Sequence, residues 1–287
     1  MIKKTKAAWP HVRDIGEAKK NKLLRAMAEE LEAETETILS CNREDIADAK
    51  PKMSAVMLDR LMLNAERIHQ MAEGIRAIAE LEDHTGRILD RTERPNGMIV
   101  TKKQAPLGLV AIIYESRPNV TSDAAALTLK SGNVCILRGG KEAFRSANAI
   151  VNALKKGIEK AGGCPEIINL LQDTTRESAN ELMRASGLVD LLIPRGGAGL
   201  IQACVQNATV PCIQTGTGIC HVYVDDAADL QKALRIIINA KTSRPSVCNA
   251  EEVCLVHKDI ASTFLPMLKQ ALVDDRQKEG LVPVELR

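Results

Sequence analysis

The residue type best suited to covalent chemistry in this sequence is the thiol of Cys248, in the polar stretch Arg244–Ala250. Lys241 and Arg244 precede it, and cations together with backbone N–H groups stabilise the thiolate form of a cysteine. A thiolate there can attack an aldehyde or an activated acyl group and hold it as a thioester. A loop cysteine can equally be inert, so the residues alone leave both interpretations open.

A second candidate is Asn119, which follows the apolar run Leu107–Ile113 and the polar residues 114–118. If that run is a parallel strand, Asn119 lies near its carboxyl end, where such folds bind ligands. Its amide could donate to an oxyanion, and removing one such donor costs about 3 kcal/mol. The alternative is that Asn119 only caps or turns the chain before a helix opened by residues 121–123.

A glycine-rich turn follows the mainly apolar residues 190–194 and contains Gly196, Gly197 and Gly199. Free backbone N–H groups at the start of the helical pattern that comes next, together with the helix dipole, favour a phosphate. The spacing differs from the G-x-G-x-x-G fingerprint, and an ordinary strand-to-helix turn also needs glycine. A dinucleotide site and a structural turn both remain open.

Two cations, Arg138 and Lys141, flank a pair of glycines at the end of another short apolar run. Cations beside flexible backbone suit the phosphate or ribose of a nucleotide. A solvated strand end would explain the same charges, so this segment depends on its context.

The elements that must position these residues alternate between short apolar runs and helical patterns. The predicted strands are 107–113, 134–137, 167–171, 189–193, 210–213, 222–224 and 253–256. The predicted helices between them are 122–130, 142–160, 175–185 and 197–206. This alternation predicts an α/β fold whose mostly parallel sheet is covered on both faces.

The regions outside this alternation have patterns of their own. Residues 17–39 and 57–81 have helical spacing of apolar positions and predict two amphipathic helices. Asn96-Gly97 predicts the turn of a hairpin. Residues 258–287 predict a helix followed by a charged tail.

Composition excludes several classes of function. The chain has 287 residues, a net charge of +2, and only one Trp, two Tyr and two Phe, which argues against nucleic acid as a partner. No apolar run reaches the roughly 18 residues that span a bilayer, so we expect a cytosolic protein without a membrane contact.

Cysteines stand at positions 41, 135, 164, 204, 212, 220, 248 and 254, without a C-x-x-C pair. Most lie within apolar runs, which predicts neither disulfides nor a metal site.

The segments that carry these candidates resemble the aldehyde dehydrogenase superfamily. The matching strings, between Pro106 and His257, are PLGLVAIIYESRPNVTSDAA, LKSGNVCILRGGKEA, DLLIPRGGAGLI, CHVYVDDAADL and NAKTSRPSVCNAEEVCLVH. The resemblance implies a Rossmann-type cofactor domain with N-terminal helices over residues 1–215 and the start of an α/β nucleophile domain over 216–287. Family members continue further, so it also implies that this chain is C-terminally truncated and that the full-length form is a homo-oligomer.

The resemblance implies roles for the residues that match. Cys248 becomes the nucleophile, and Asn119 becomes the oxyanion donor, assisted by the backbone N–H of Cys248. Arg138 replaces the lysine that touches the cofactor ribose, which suits the extra phosphate of NADPH. The glycines at the pyrophosphate are Gly196, Gly197 and Gly199.

The implied activity is the NADPH-dependent reduction of L-glutamyl 5-phosphate to L-glutamate 5-semialdehyde in proline biosynthesis, through a cysteine thioester and without a metal. Arg117 and Arg244 are the candidates for binding the substrate carboxylate, although either can instead form a structural ion pair. Hydrolytic family members carry a glutamate that activates water, whereas Val205–His221 contains no carboxylate. The absence of this base favours exchange with phosphate over hydrolysis.

Two alternatives remain. A hydrolytic aldehyde dehydrogenase would produce a carboxylic acid without phosphate. An inactive remnant would bind a nucleotide or a partner without catalysis.

Overall fold

The computed structural model describes residues 1–214, 216, 218–245 and 247–287. The chain divides into two compact units, Met1–Thr215 and Gly216–Arg287, and each is described by itself. Thr215 and Thr217 of the predicted domain boundary and Ser246 of the predicted nucleophile loop lie outside the described residues.

The first unit begins with a series of helices: α1 Ile2–Ala7, α2 Pro10–Arg13, α3 Glu17–Ala33, α4 Thr35–Ala49, α5 Ala55–Leu61 and α6 Ala65–Glu80. Each of the two predicted amphipathic helices is therefore two helices. The second break has a clear cause, because the Asn64 side chain accepts a hydrogen bond from the backbone N–H of Arg67 at 2.7 Å and caps a new helix. The apolar faces of α3 and α6 are buried, as their spacing predicts.

A two-stranded antiparallel hairpin follows, with β1 at Ile88–Glu93 and β2 at Ile99–Lys103. Gly97 adopts a φ of 80°, a left-handed conformation that favours glycine. The N–H of Arg94 donates to the carbonyl of Met98 at 2.8 Å and closes the turn. The predicted hairpin is confirmed.

The core of the first unit is a parallel sheet flanked by helices. Its elements in chain order are β3 Leu109–Tyr114, α7 Pro118–Lys130, β4 Val134–Arg138, α8 Phe144–Lys160, β5 Ile168–Leu170, α9 Arg176–Met183, β6 Leu191–Arg195 and α10 Ala198–Asn207. The four strands lie in the order β5-β4-β3-β6 and all their pairings are parallel. Every residue of the central strand β3 is buried, as expected when both faces are covered.

One predicted strand of this unit was wrong. Residues 210–213 form only an isolated bridge, between Leu192 and Cys212. Pro211 accepts a hydrogen bond from Leu192 at 2.8 Å through its carbonyl, but proline has no N–H to donate to a ladder. The N–H of Ile213 also donates to the carbonyl of Leu192 at 3.0 Å, so this segment forms one bridge with β6 rather than a fifth strand.

Parallel pairing brings the carboxyl ends of the four strands to one edge of the sheet. Residues 115–119 follow β3, residues 139–141 follow β4, residues 171–175 follow β5, and residues 196–199 follow β6. The candidate site residues of the first unit thus share the edge where open α/β sheets bind ligands.

The second unit contains β7 Cys220–Val224, α11 Leu230–Thr242, β8 Glu251–Val256, α12 Lys258–Lys269, a π-helical turn Gln270–Asp275, and α13 Arg276–Lys278. The strands β7 and β8 pair in parallel. Val224, Ile237, Phe264, Leu268 and Leu272 form its apolar core. No helix among the described residues combines the length and apolar character that crossing a membrane requires.

Candidate active site

Cys248 lies in an irregular segment between α11 and β8. Two hydrogen bonds turn the chain there: the N–H of Val247 donates to the carbonyl of Arg244 at 3.3 Å, and that of Ala250 donates to the carbonyl of Val247 at 3.2 Å. All eight cysteines belong to the described residues, and Cys248 is the only exposed one among them. The thiol predicted as the nucleophile is thus the one that a substrate can reach.

The cation nearest to this segment in the sequence is held by the start of β8. The Lys241 ammonium donates to the carbonyl of Glu251 at 2.8 Å and to the carboxylate of Glu252 at 3.3 Å. Burial raises the pKa of the Glu251 carboxyl, and the charge of Lys241 opposes this shift. Lys241 therefore joins the end of α11 to the strand that follows the cysteine.

A second thiol lies against the nucleophile segment. Cys220, the first residue of β7, donates through its Sγ to the carbonyl oxygen of Cys248 at 3.5 Å. Sequence reasoning placed Cys220 among the seven cysteines that look structural, most of which lie in apolar runs. The parallel register that places Cys220 opposite Glu251 is a long-range feature that an apolar run does not itself reveal.

Asn119 lies within the first turn of α7 rather than before the helix. Arg117 is the N-cap and Pro118 is the first helical residue, so the helix begins earlier than the predicted residue 122. Asn119 is exposed, and its Nδ2 donates to the Asp123 carboxylate at 3.3 Å. Burial raises the pKa of Asp123, and the hydrogen bond from Asn119 opposes that shift.

The two arginines proposed for the substrate lie in different units. Arg117 is half-buried at the start of α7, and within the described part of the chain its side chain forms no hydrogen bond or ion pair. Arg244 is exposed in the second unit, at the beginning of the Cys248 segment.

Arg138 ends β4 and holds a neighbouring loop. Its Nη2 donates to the carbonyls of Thr174 at 2.7 Å and Thr175 at 3.0 Å, and its Nη1 donates to that of Gly139 at 3.3 Å. Burial lowers the pKa of this guanidinium. Its Nε is buried and, among the described residues, has no hydrogen-bond partner.

A pocket of about 600 Å³ opens beside Arg138. Lys141 and Arg176 also line it, so three cations face one cavity, together with the carboxylate of Glu142. Sequence reasoning missed Arg176, because the contact depends on the pairing of β4 with β5, which places the residues after β5 beside the end of β4.

The predicted phosphate turn leads from β6 into α10, with Gly197 as the N-cap. The N–H of Gly197 donates to Oε1 of Glu115 at 2.7 Å. A Cβ at Gly196 would lie 2.7 Å from Cδ and Oε1 of the same carboxylate. Gly199 has open space where a Cβ would stand.

Gly196 and Gly197 of this glycine-rich turn therefore lie against the carboxylate of Glu115. None of Gly196, Gly197 and Gly199 has a positive φ, so close approach explains Gly196 rather than backbone conformation. Sequence reasoning missed Glu115, because its contact requires the adjacency of β3 and β6.

Comparisons with known proteins agree with this architecture. The model of the aldehyde dehydrogenase family matches residues 1–281. The chain is 64% identical over 253 residues to gamma-glutamyl phosphate reductase of Streptococcus suis (strain 05ZYH33), an alignment that covers 88% of this chain and 61% of the relative. It is 56% identical over 286 residues to gamma-glutamyl phosphate reductase of Streptococcus pneumoniae serotype 19F (strain G54), covering 100% of this chain and 68% of the relative.

A solved structure that resembles this chain is also a gamma-glutamyl phosphate reductase. The crystal structure of gamma-glutamyl phosphate reductase from Thermotoga maritima matches with a TM-score of 0.84 and 38% identity, covering 99% of this chain and 72% of that one. The chain thus spans about 61–72% of the length of these relatives. The chain belongs to the aldehyde dehydrogenase family, and its sequence groups it there with the gamma-glutamyl phosphate reductases.

Proposed function

We propose that this chain carries the cofactor-binding and nucleophile-bearing parts of an enzyme that reduces L-glutamyl 5-phosphate to L-glutamate 5-semialdehyde in proline biosynthesis, with NADPH as the reductant. The observation that carries the proposal is the exposure of Cys248 in a turn between α11 and β8. Its relatives with 56–64% identity are named gamma-glutamyl phosphate reductases, and that name supports the substrate.

The chemistry of Cys248 follows from its thiol. The thiolate attacks the acyl carbon of the acyl phosphate, and the tetrahedral adduct collapses with loss of inorganic phosphate to leave a thioester. When bound, NADPH supplies the hydride that reduces this acyl group to the aldehyde level. Collapse of the resulting hemithioacetal re-forms the thiolate and releases the semialdehyde.

Asn119 is the proposed donor to the oxyanion that forms in each addition. Its Nδ2 carries two N–H donors, of which one is directed to Asp123 at 3.3 Å. The second has no partner among the described residues and can serve a ligand, and the Asp123 contact fixes the direction of the amide plane. A donor held in advance stabilises developing negative charge without reorganisation.

The end of β4 suits the phosphorylated ribose that distinguishes NADPH from NADH. Arg138, Lys141 and Arg176 line one pocket, and a phosphomonoester binds well to clustered guanidinium and ammonium groups. The buried Nε of Arg138, which lacks a partner among the described residues, leaves one donor unsatisfied. We infer that Arg138 fixes the loop carrying Arg176 and that Lys141 and Arg176 supply the charge.

The start of α10 suits the pyrophosphate. The helix dipole and free N–H groups at its first turn attract an anion, and Gly199 leaves open space for its approach. In the structure the carboxylate of Glu115 accepts a hydrogen bond from the N–H of Gly197. Use of that amide by a phosphate requires Glu115 to withdraw.

Hydrolysis of the thioester is disfavoured because the segment that would supply a water-activating base has no carboxylate. Val205–His221 contains no carboxylate, so the position from which hydrolytic family members activate water lacks that group. The thioester then persists until hydride or phosphate reaches it. Arg117 and Arg244 are the proposed partners of the substrate carboxylate, a role that suits guanidinium groups.

The reverse reaction tests the proposal. The chain is incubated with glutamate 5-semialdehyde, NADP and inorganic phosphate, and formation of NADPH is followed by its absorbance. We expect turnover that rises with phosphate, disappears in Cys248→Ser, and persists in the matched control Cys254→Ser, whose thiol is half-buried in β8.

Other outcomes would contradict it. Formation of a carboxylic acid without phosphate would identify a hydrolytic aldehyde dehydrogenase instead. Turnover that survives Cys248→Ser unchanged would remove the thioester mechanism. Calorimetric binding of NADPH without any turnover would favour a nucleotide-binding chain that is not catalytic by itself.

A further inference from the structure

We propose that Cys220 and Cys248 form a redox-sensitive thiol pair, in which a hydroperoxide oxidises Cys248 and Cys220 then closes a reversible disulfide with it. The proposal rests on the proposed function in one respect, namely that Cys248 is the reactive thiol. It adds a modification site and a second residue, Cys220, which the reductase chemistry does not use.

The two residues approach each other through the strand pairing of the second unit. Cys220 begins β7 and lies opposite Glu251 of β8. Glu251 follows Cys248 by only three positions in the sequence. Its Sγ reaches the carbonyl oxygen of Cys248 at 3.5 Å. The register shifts between Cys220 and His221, so Cys220 stands at an irregular position where the regular pairing begins.

The segment around Cys248 can supply the movement that a disulfide requires. A disulfide needs an S–S distance of about 2 Å and a Cα separation of roughly 4.4–6.8 Å. The described residues between α11 and β8 belong to neither helix nor strand. Rotation of the Cys248 side chain and a small shift of these turns can bring its sulfur to that of Cys220 without breaking the β7–β8 ladder.

Exposure selects Cys248 as the first site of oxidation. Cys135 and Cys204 are buried, and burial raises their pKa values to about 12 and about 11. Burial also raises the pKa of the Cys254 thiol. Oxidation by peroxide follows thiolate character and exposure, so these buried and half-buried thiols should react more slowly.

The reaction is balanced with a hydroperoxide as the oxidant. The Cys248 thiol loses its proton, and the thiolate attacks one oxygen of the peroxide and becomes a sulfenic acid. The O–O bond breaks, and the other oxygen leaves as hydroxide, which takes up the proton from the thiol to form water when the oxidant is hydrogen peroxide. The Cys220 thiol loses its proton and attacks the sulfenic sulfur, and the departing hydroxide takes up that proton as a second water. The S–S bond forms, and an external dithiol later reduces it to two thiols.

The disulfide would remove the nucleophile while protecting it. Cys248 held in an S–S bond cannot form a thioester, so catalysis stops. The same bond prevents further oxidation of the sulfenic acid to the irreversible sulfinic acid.

In the test, the 287-residue chain is oxidised with a small excess of hydrogen peroxide and its peptides are then mapped by mass spectrometry under non-reducing conditions. We expect a cross-linked peptide that joins Cys220 to Cys248 and that disappears after treatment with a dithiol. In Cys220→Ser, which keeps a hydrogen-bond donor toward the Cys248 carbonyl, we expect sulfinic acid at Cys248 to rise roughly tenfold. Cys254→Ser should behave like the unmodified sequence.

Further outcomes separate this inference from the proposed function. The inference is overturned if Cys248 reacts rapidly with iodoacetamide but peroxide converts it to sulfinic acid equally in the unmodified chain and in Cys220→Ser. Cys220→Ala provides a second variant if the serine perturbs folding. A Cys220–Cys248 disulfide in a chain without NADP-dependent activity would support the inference while the proposed function fails.

Discussion

The carboxylate of Glu115 accepts a hydrogen bond from the backbone N–H of Gly197 at 2.7 Å. Glu115 follows β3 and Gly197 follows β6, and these strands are neighbours in the sheet. A negatively charged side chain thus occupies the start of α10, where the helix dipole and free N–H groups stabilise an anion. The proposed pyrophosphate of the cofactor would compete with it for that position.

Neutralising this carboxylate should strengthen cofactor binding. Glu115→Gln retains a carbonyl oxygen that accepts the Gly197 N–H, but it removes the negative charge near the pyrophosphate. A charge near a helix terminus contributes about 0.3–1 kcal/mol, so we expect the dissociation constant of NADP to fall about twofold to fivefold. Titration calorimetry measures this, with the exposed Glu181→Gln as control; weaker binding would mean that Glu115 itself contacts the cofactor.

A substitution at Gly199 tests whether this glycine is needed for cofactor binding or for folding. A Cβ at this position meets nothing within 4 Å, and alanine is a better helix former than glycine by up to about 1 kcal/mol. Gly199→Ala should therefore keep or raise the melting temperature. If the pyrophosphate lies against this turn, NADP affinity should fall about tenfold because the Cβ blocks its approach.

The control for Gly199→Ala is Gly74→Ala, a change in the helix α6 where the added Cβ would make only an ordinary contact of 3.9 Å with Asp123. Equal NADP affinity in both variants would exclude close approach of a phosphate to Gly199.

The sequence predicted the parallel sheet and the loops that carry the site, because buried strands and amphipathic helices leave periodic patterns. It did not predict the contacts of Glu115 or Arg176, since these follow from the strand order β5-β4-β3-β6, which local patterns do not encode. It also merged neighbouring helices, because apolar spacing continues across the cap at Asn64. Cys220 was missed for the same reason as Arg176: its partner is set by strand pairing.

Arg176 should determine the preference for NADP over NAD. It begins α9, is exposed, and lines the pocket that contains Arg138 and Lys141. Arg176→Gln removes one charge-assisted contact to the ribose phosphate, so we expect NADP affinity to fall about tenfold while NAD affinity changes little. Arg184→Gln, at the other end of the same helix, is the matched control; an equal loss for NAD and NADP would place the phosphate elsewhere.

Asp123 offers a pH-dependent test of how Asn119 is held. Burial raises the pKa of Asp123 above its ordinary value of 3.8, although the hydrogen bond from Asn119 opposes the shift. A carboxyl whose pKa is raised by folding binds its proton more tightly in the folded state than in the unfolded state. Above the raised pKa, ionisation of Asp123 therefore lowers the free energy of unfolding. This loss of stability disappears as the pH falls below 3.8, the ordinary pKa. Asp123→Asn keeps an oxygen that accepts from Asn119 and removes the charge. We therefore expect it to be more stable than the unmodified chain near neutral pH, with a difference that shrinks in acid.

Urea denaturation of both proteins across this pH range measures the difference in the free energy of unfolding. Asp123→Leu supplies the contrast, because it also removes the charge but leaves the Asn119 amide without its acceptor. If Asn119 acts on the oxyanion in a fixed orientation, Asp123→Asn should retain turnover and Asp123→Leu should lose it, at equal Cys248 alkylation rates. A less stable Asp123→Asn at neutral pH would show instead that the ionised carboxylate is stabilised by its surroundings, and equal turnover in both variants would show that the Asp123 contact does not position Asn119.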